Sequence, residues 1–430
     1  MSDAAKTEYR ELRGQAARLA VMSDSERNAM LCRLADALEA DRETVFAANR
    51  EDVLAAGEAS LSDALVHRLV LDERKLASAV EGVRSVARLR CPLGLVRERR
   101  LLDEGLVLER VTYPIGVIGM IFEARPDALI QIVSLCLKSG NGIILKGGKE
   151  ASRTNSALVS IIRKTLDGAP WLKLLSSHSD VDEMLGMEGD VDLIIPRGSN
   201  AFVRYVMQHT NIPVMGHADG ICSVYVDESA DIDLAVRVAV DSKVQYPAAC
   251  NAVETVLVHQ AAAPFFIPAF TKALAAHGVI IHADEKALSI IGKDSPDVVR
   301  AAEEDFHTEY LGLELALKVV CSFDEAVAHI ASHSSHHTDA IITSSEEHKK
   351  RFFDEVDSAD VFCNCSTRFA DGFRFGLGAE VGISTSKLHA RGPVGLDGLT
   401  TTKWLLSGSG QIVDDYSSGR RKFIHKDLEI

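Results

Sequence analysis

From Tyr113 onward, short apolar runs alternate with helix-like stretches, and this pattern constrains the fold more than any other feature of the chain. The first apolar runs cover residues 116–122, 142–145, 191–195 and 223–226, with helix-like stretches such as 127–137 and 152–166 between them. Such alternation implies a parallel sheet covered by helices. The pattern then repeats, so we predict two α/β units, the second with strands at residues 255–259, 279–282, 316–320, 340–343 and 361–363.

The remaining segments surround these two units. Residues 3–92 are rich in Ala, Leu, Glu and Arg, with apolar residues three and four apart, and we predict a helical layer. Residues 95–111 are charged and half-apolar with a turn at Gly105, a pattern that indicates a β-hairpin. The segment from Leu399 onward predicts a terminal strand. The hairpin has little core of its own, so we expect it to pack on another subunit.

Composition excludes several classes of function. The 430 residues include 47 Lys and Arg against 62 Asp and Glu, and the net charge of −15 argues against non-specific nucleic-acid binding. The charged amino-terminal segment has no signal-peptide core, and no apolar run has the length of a membrane span. The 8 cysteines are scattered, as expected for reduced thiols. We therefore predict a cytoplasmic, enzyme-sized protein.

A cysteine with small neighbours precedes one of the predicted strands. The stretch QYPAACNAVET places Cys250 after a proline and between Ala249 and Asn251. Small neighbours leave room for a carbonyl group to reach the sulfur, and a thiol at the end of an element is close to exposed N–H groups that favour thiolate. A buried structural cysteine is the alternative.

Two predicted strands run into turns that suit phosphate groups. These turns are Lys146-Gly147-Gly148-Lys149 and Pro196-Arg197-Gly198-Ser199. Turns at the carboxyl ends of parallel strands line the ligand crevice of open α/β sheets. The dinucleotide signature GxGxxG does not occur after a predicted strand. The Walker A sequence is also absent, because Lys149 is followed by Glu150 and not by Ser or Thr.

Several motifs together resemble the aldehyde dehydrogenase superfamily and, more narrowly, the gamma-glutamyl phosphate reductase family. They are YPIGVIG (113–119), FEARPD (122–127), LKGGKEASRTN (145–155), QYPAACNAVET (245–255), EYLG (309–312), STRFADGFRFGLGAEVGISTSKLHARGPVGL (366–396) and LTTTKW (399–404). The resemblance implies two Rossmann-like domains and a small β-hairpin oligomerisation arm. By this resemblance residues 1–94 and 112–224 form the cofactor-binding domain, 225–398 the catalytic domain, and 95–111 with 399–430 the arm and tail.

The resemblance also implies a reaction. Cys250 would act as the nucleophile in an NADPH-dependent reduction of L-glutamyl 5-phosphate to L-glutamate 5-semialdehyde in proline biosynthesis. Another aldehyde dehydrogenase, hydrolytic or CoA-acylating, and a non-catalytic oligomeric descendant are the alternatives. The family implies a homodimer or larger homo-oligomer, and functional coupling to a separate glutamate 5-kinase is a further expectation.

Cofactor residues are implied by the same motifs. Lys146 would contact the adenosine ribose, Gly198 and Ser199 the nicotinamide and phosphates, and Glu309 the nicotinamide ribose. Lys149 stands where many aldehyde dehydrogenases carry an acid. A lysine there suits a 2′-phosphate, which favours NADP over NAD, although a solvated surface lysine is the alternative.

The identity of the acyl acceptor can be inferred from a residue that this sequence lacks. Hydrolytic members carry a Glu general base about 34 residues before the nucleophile, and residues 214–220 contain none. His217 or Asp219 is an alternative base. The usual oxyanion Asn is replaced near Ala124-Arg125, so the Cys250 N–H is the surest oxyanion donor, with Asn251 next to it.

An anionic substrate requires fixed cations and hydroxyl groups. Arg125, Arg368 and Arg391, with Ser366 and Thr367, are the predicted substrate-binding residues, and a structural ion pair is the alternative for each arginine. Lys243 is a candidate for activating the thiol. The histidines at 329, 333, 336 and 337 do not show a convergent ligand set, and no metal is predicted.

Overall fold

A computed structural model describes residues 3–61, 63–123, 125–176, 178–216, 219–292 and 297–430. Its helices are α1 (Asp3–Val21), α2 (Asp24–Ala40), α3 (Arg42–Glu58), α4 (Asp63–Leu69), α5 (Glu73–Arg88), α6 (Pro126–Lys138), α7 (Ser152–Thr165), α8 (His178–Leu185), α9 (Asn200–Gln208), α10 (Ile232–Val244), α11 (Ala263–Ala275), α12 (Glu285–Ile291), α13 (Phe323–His333), α14 (Glu346–Glu355) and α15 (Val413–Ser417). Its strands are β1 (Val96–Asp103), β2 (Leu106–Pro114), β3 (Val117–Phe122), β4 (Gly142–Gly147), β5 (Leu172–Leu174), β6 (Leu193–Arg197), β7 (Cys222–Val226), β8 (Val253–His259), β9 (Ile280–Ala283), β10 (Val298–Arg300), β11 (Glu314–Val320), β12 (Thr338–Ile342), β13 (Asp360–Cys363), β14 (Ile383–Ser384), β15 (Gly392–Pro393), β16 (Thr400–Ser407) and β17 (Lys426–Asp427).

The chain divides into two compact units. The first contains residues 1–215, 377–382 and 394–430, and the second contains residues 216–376 and 383–393. The predicted boundary between residues 224 and 225 falls inside β7. Because β7 is hydrogen-bonded to β8 and β12, it belongs to the sheet of the second unit. The hairpin and the terminal strand are part of the first unit.

The first unit combines a helical layer with a parallel sheet. Ser23 and Glu26 form a capping box that starts α2, and Leu31, Leu34 and Leu38 on that helix are fully buried. The sheet has the order β5-β4-β3-β6, and its strand pairs are parallel. Every residue of β3 and β4 is buried, as expected for parallel strands covered on both faces.

A separate antiparallel sheet in the first unit confirms the predicted hairpin and terminal strand. Its order is β16-β2-β1-β17, and β16 pairs with β2 from Thr400↔Pro114 to Ser407↔Val107. After Thr400 the side chains of β16 are exposed, including Trp404, Leu405 and Leu406. The short strand β17 was not predicted.

The second unit contains a seven-stranded sheet in the order β10-β9-β11-β8-β7-β12-β13, and its strand pairs are parallel. All seven residues of β8 are buried, and α10, α11 and α12 pack on one face through Ala239, Phe266 and Ala287. The segment that carries Cys250 leads from α10 into β8, at the centre of this sheet. Among the described residues, no helix combines the length and apolarity that crossing a bilayer requires.

Candidate active site

Cys250 lies in a tight connection between α10 and β8. The Ala249 N–H donates to the Tyr246 carbonyl (3.2 Å), and the Ala252 N–H donates to the Ala249 carbonyl (2.9 Å). The connection is therefore a pair of overlapping turns, and Cys250 is half-buried within it. A nucleophile placed in this way is held by backbone hydrogen bonds while its sulfur stays partly accessible.

Gly220 and Cys222, which precede β8 in the sequence, contact the backbone of Cys250. A Cβ atom built on Gly220 would lie 2.1 Å from the Cys250 carbonyl oxygen and 2.7 Å from its Cα atom. The Cys222 thiol donates to the same carbonyl oxygen over 3.3 Å. Burial raises the pKa of Cys222 well above its ordinary value, so this thiol stays neutral and can donate. Sequence reasoning missed both residues.

Asn251 links the nucleophile segment to the loop that follows β13. Its side-chain amide nitrogen donates to the Ala370 carbonyl over 2.7 Å, and the side chain is buried. Its Oδ1 atom has no hydrogen-bond partner among the residues that the structure describes. The amide therefore fixes the loop that contains Arg368, and this contact is the role that the structure describes for Asn251.

Ser366, Thr367 and Arg368 are brought together with the nucleophile segment. Ser366 is the N-cap of the 3₁₀ turn Thr367–Phe369, and its hydroxyl accepts from the Arg368 N–H. The Ser242 hydroxyl donates to the Ser366 hydroxyl (3.2 Å) and accepts from the Thr367 N–H (3.2 Å). The Ser366 hydroxyl is thus engaged in local structure, whereas the buried Thr367 Oγ1 has no hydrogen-bond partner within the described part of the chain.

Arg368 is a buried cation that interacts with Cys250. Its side chain is 8% exposed, and its Nε donates to Gln245 over 2.9 Å. Burial lowers the pKa of Arg368 and so does Arg374, whereas the negative charge of a Cys250 thiolate raises that pKa. The attraction between the guanidinium and a thiolate at Cys250 is mutual.

A buried ion pair lies at the two ends of the same connection. Lys243 on α10 and Glu254 on β8 are fully buried, and Nζ and Oε2 are 2.6 Å apart. Burial raises the pKa of Glu254 to about 7 and lowers that of Lys243, while each charge partly offsets the effect on the other. The Leu311 N–H donates to Glu254 over 3.4 Å, and Leu311 has a positive φ of 53°. Glu254 thus holds the loop that begins at Glu309.

Arg391 and Arg125 both have carboxylate partners. Arg391 pairs with Asp357 at 2.9 Å and also donates to the Asp357 carbonyl over 3.0 Å. Arg125 is exposed and pairs with Asp127 at 3.0 Å. A substrate anion bound to Arg125 or Arg391 would share that arginine with its carboxylate partner. Asp219 is half-buried, whereas His217 and Ala124 lie outside the described residues.

In the first unit, the turn that follows β4 carries the predicted adenosine-ribose residues. Lys146 is buried, its Nζ donates to the Gly147 carbonyl over 2.6 Å, and burial lowers its pKa. Lys149 is exposed. A Cβ atom on Gly148 would lie 1.9 Å from the Glu150 carboxylate, so Glu150 folds back over this glycine. Ammonium groups for phosphate and a carboxylate for ribose hydroxyls suit a dinucleotide.

Gly198 and Ser199 form the exposed turn before α9. A Cβ atom on Gly198 would lie 2.9 Å from the Glu123 carboxyl carbon. Burial raises the pKa of Glu123, as does the charge of Glu150, and a hydrogen bond from the Ser199 N–H acts in the opposite direction. Sequence reasoning did not single out Glu123, although it lies within the FEARPD motif. The donors and acceptors of this turn fit the same dinucleotide.

Comparison with known proteins places these features in a family. A family model described as "Aldehyde dehydrogenase family" matches residues 3–290. The gamma-glutamyl phosphate reductase of Pelotomaculum thermopropionicum is 53% identical over 406 residues, which cover 94% of this chain and 92% of that protein. The protein of the same name from Cyanothece sp. is 52% identical over 428 residues, with 98% of each chain covered.

Solved structures agree with this placement. The crystal structure of gamma-glutamyl phosphate reductase from Thermotoga maritima matches with a TM-score of 0.91 at 38% identity, covering 94% of this chain and 99% of that one. An acetylating aldehyde dehydrogenase from Geobacillus thermoglucosidasius matches with a TM-score of 0.66 at 16% identity, covering 95% and 97%. The second match speaks for the fold alone, and the predicted aldehyde dehydrogenase-like fold is confirmed.

Proposed function

Because the chain belongs to the gamma-glutamyl phosphate reductase family of the aldehyde dehydrogenase superfamily, we propose that it reduces L-glutamyl 5-phosphate to L-glutamate 5-semialdehyde in proline biosynthesis. The observation that carries this proposal is Cys250, half-buried in a turn held by backbone hydrogen bonds, with the buried cation Arg368 on the loop that Asn251 joins to this turn. Such a thiol is a suitable nucleophile for an activated acyl group. We assign the reaction to the cytoplasm.

The chemistry begins at the sulfur. The Cys250 thiolate attacks the C5 carbonyl carbon of the acyl phosphate, an S–C bond forms, and the bond to the phosphate oxygen breaks. Phosphate leaves with the electron pair of that bond and takes up a proton from solvent. The thioester remains on Cys250, and the Cys250 N–H is the proposed donor to its carbonyl oxygen.

Reduction completes the cycle. A nicotinamide dinucleotide, when bound, supplies the hydride that adds to the thioester carbon. The resulting thiohemiacetal collapses, the C–S bond breaks, and the aldehyde leaves while the thiolate of Cys250 is restored. The leaving group is therefore the same charged species that starts the next cycle.

We propose that five residues hold the cofactor. We assign Lys146, Lys149, Gly198 and Ser199 of the first unit and Glu309 of the second to this role. The exposed Lys149 supports NADP over NAD, because an ammonium group favours a 2′-phosphate. The nearby Glu150 is the competing consideration, since a carboxylate accepts from a 2′-hydroxyl group.

Three arginines are proposed to bind the substrate anion. Arg368 is the one that interacts with Cys250, so we assign it to the end of the substrate that reacts. Arg125 is paired with the Asp127 carboxylate, and Arg391 is paired with the Asp357 carboxylate. Their proposed role is to bind the amino-acid end through the nitrogens that the carboxylates leave accessible.

The oligomeric state is part of the proposal. β16 pairs with β2 on one side, its side chains after Thr400 are exposed, and Trp404, Leu405 and Leu406 form an apolar stretch along it. An apolar strand at the edge of a sheet favours pairing with another chain. We propose a homodimer or larger homo-oligomer that uses this strand. Coupling to a separate glutamate 5-kinase would deliver the reactive acyl phosphate directly.

The reaction is tested in its reverse direction. Wild type and Cys250→Ala are assayed for NADP reduction with glutamate 5-semialdehyde, with phosphate, with coenzyme A, or with neither. We expect activity that requires phosphate and is lost in C250A. Activity without phosphate would indicate a hydrolytic enzyme, activity with coenzyme A alone an acylating one, and activity in C250A would refute the nucleophile. No activity under any condition would favour a non-catalytic descendant.

A further inference from the structure

Three potential metal ligands converge outside the candidate active site. Glu303 and His307 lie at the two ends of the 3₁₀ turn Glu303–His307, and His333 is the last residue of α13. One ligand atom from each of the three side chains lies within 4.8 Å of the others. The residues are separated in sequence, and only the packing of the turn against α13 brings them together.

Hydrogen bonds hold the ring of His333 in place. Its Nδ1 atom is 2.7 Å from the Ser332 hydroxyl and 2.9 Å from the His329 carbonyl oxygen, to which an Nδ1–H would donate. Its Nε2 atom is 3.0 Å from the Glu303 carboxylate. With hydrogen on Nδ1, the Nε2 lone pair and the carboxylate can share one cation, either a proton or a metal ion. Metal-binding histidines are held in this same way, by donating their other N–H to a carbonyl.

The third ligand is free to adjust. The His307 ring is exposed and stacks on His333, with 4.4 Å between the ring centroids. Ligand atoms around one tetrahedral zinc ion are about 3.3 Å apart, because each bond is about 2 Å long. Rotation of the exposed Glu303 and His307 side chains would close the present separation to that value.

We propose that Glu303, His307 and His333 bind one divalent transition-metal ion, with zinc preferred. Two imidazoles and one carboxylate form an N/O donor set that suits zinc, and water would complete the tetrahedron. The site differs from the group of histidines at 329, 333, 336 and 337, for which the sequence predicts no metal. Only His333 is common to both, since His337 is fully buried beside Cys222. A bound ion would join the 3₁₀ turn to the end of α13.

The test measures zinc binding directly. Chelator-treated protein is titrated with Zn²⁺ by calorimetry in a Cys250→Ala background, which removes the reactive thiol. The variant is His307→Ala, whose ring is exposed, and the matched control is His277→Ala, an exposed histidine of the same unit. We expect at least tenfold weaker binding at one site in H307A, no change in H277A, and a zinc-dependent rise in Tm only when His307 is present.

Two outcomes would overturn the site. One is the absence of zinc binding in the parent protein, and the other is equal binding by H307A and H277A, which would assign the ion to other groups such as exposed thiols. Neither measurement depends on enzyme activity, so failure of this proposal leaves the proposed reaction unaffected.

Discussion

Gly220 packs directly on Cys250. The position of a Cβ atom on Gly220 would be 2.1 Å from the Cys250 carbonyl oxygen and 2.7 Å from both the carbonyl carbon and the Cα atom. All three are backbone atoms, which cannot rotate away as a flexible side chain could. The nucleophile segment therefore has the position it has because residue 220 lacks a side chain.

Gly220→Ala should lower kcat while leaving the protein folded. The added methyl group has to displace the backbone of Cys250, and a displacement of about 1 Å costs roughly a hundredfold in rate. Steady-state kinetics and a thermal melt measure the two effects. Gly82→Ala on α5 is the control, since nothing lies within 4 Å of a Cβ atom there. A folded G220A with the kcat of the wild type would contradict the argument.

Arg368→Gln should slow the reaction of Cys250 with iodoacetamide at neutral pH. Loss of the buried positive charge that interacts with a Cys250 thiolate should cost about 1 kcal/mol, or about fivefold in rate. Peptide mass spectrometry follows Cys250 separately from the other cysteines. Arg368→Lys should recover most of the rate, and the exposed Arg300→Gln should not change it. If R368K is as slow as R368Q, the effect is one of packing and not of charge.

Lys243→Met should destabilise the fold by about 3–5 kcal/mol, because it leaves the buried Glu254 without a cation. The double variant Lys243→Met/Glu254→Gln should recover most of that loss, since it removes the buried charge and keeps an acceptor for the Leu311 N–H. Urea denaturation measures the free energy of unfolding. Additive losses in the double variant would show that the two side chains do not act as a pair.

Lys149→Glu should change cofactor preference. An acid repels a 2′-phosphate and accepts from a 2′-hydroxyl, so the ratio of kcat/KM for NADPH to that for NADH should fall by about tenfold or more. The control is Lys164→Glu, an exposed lysine near the end of α7. An unchanged ratio in K149E would identify Lys149 as an ordinary surface lysine.

Leu405→Lys/Leu406→Lys should reduce the molecular mass seen by sedimentation velocity. Two ammonium groups on an apolar edge strand oppose pairing with another chain. Val21→Lys, a change at an exposed residue at the end of α1, is the control for added charge. A monomeric wild type would refute the proposed oligomer, and an unaltered mass in the double variant would place its interface elsewhere.

The sequence predicts the larger elements well because their apolar runs are long. Residues 116–122 and 255–259 became β3 and β8, and the hairpin around Gly105 formed as expected. The strands β5 and β10 have three residues each, which is too short to show a periodic pattern. Residues 216–224 belong to the second unit because β7 pairs with β8 and β12. Those strands are distant from β7 in sequence, so a local pattern does not reveal the pairing.

The candidate site shows the same limit. Cys250 lies in a recognisable motif. Gly220 lies in no such motif, and its role becomes evident only from its packing against Cys250 in the folded protein. Glu254 lies inside the motif QYPAACNAVET, but its charge is compensated by Lys243, and only the turn between α10 and β8 brings the two together. The pairing of Arg391 with Asp357 likewise depends on tertiary packing. Contacts of this kind leave no local pattern.

The pairing of β16 with β2 has a consequence for how the protein is made. β2 ends at Pro114, and its partner begins only at Thr400. At about 5–20 residues per second, the ribosome needs roughly 15–60 s to travel between them. During that time the nascent hairpin offers an uncovered edge to neighbouring chains, and the pairing of residues 400–407 with β2 is the event that closes it.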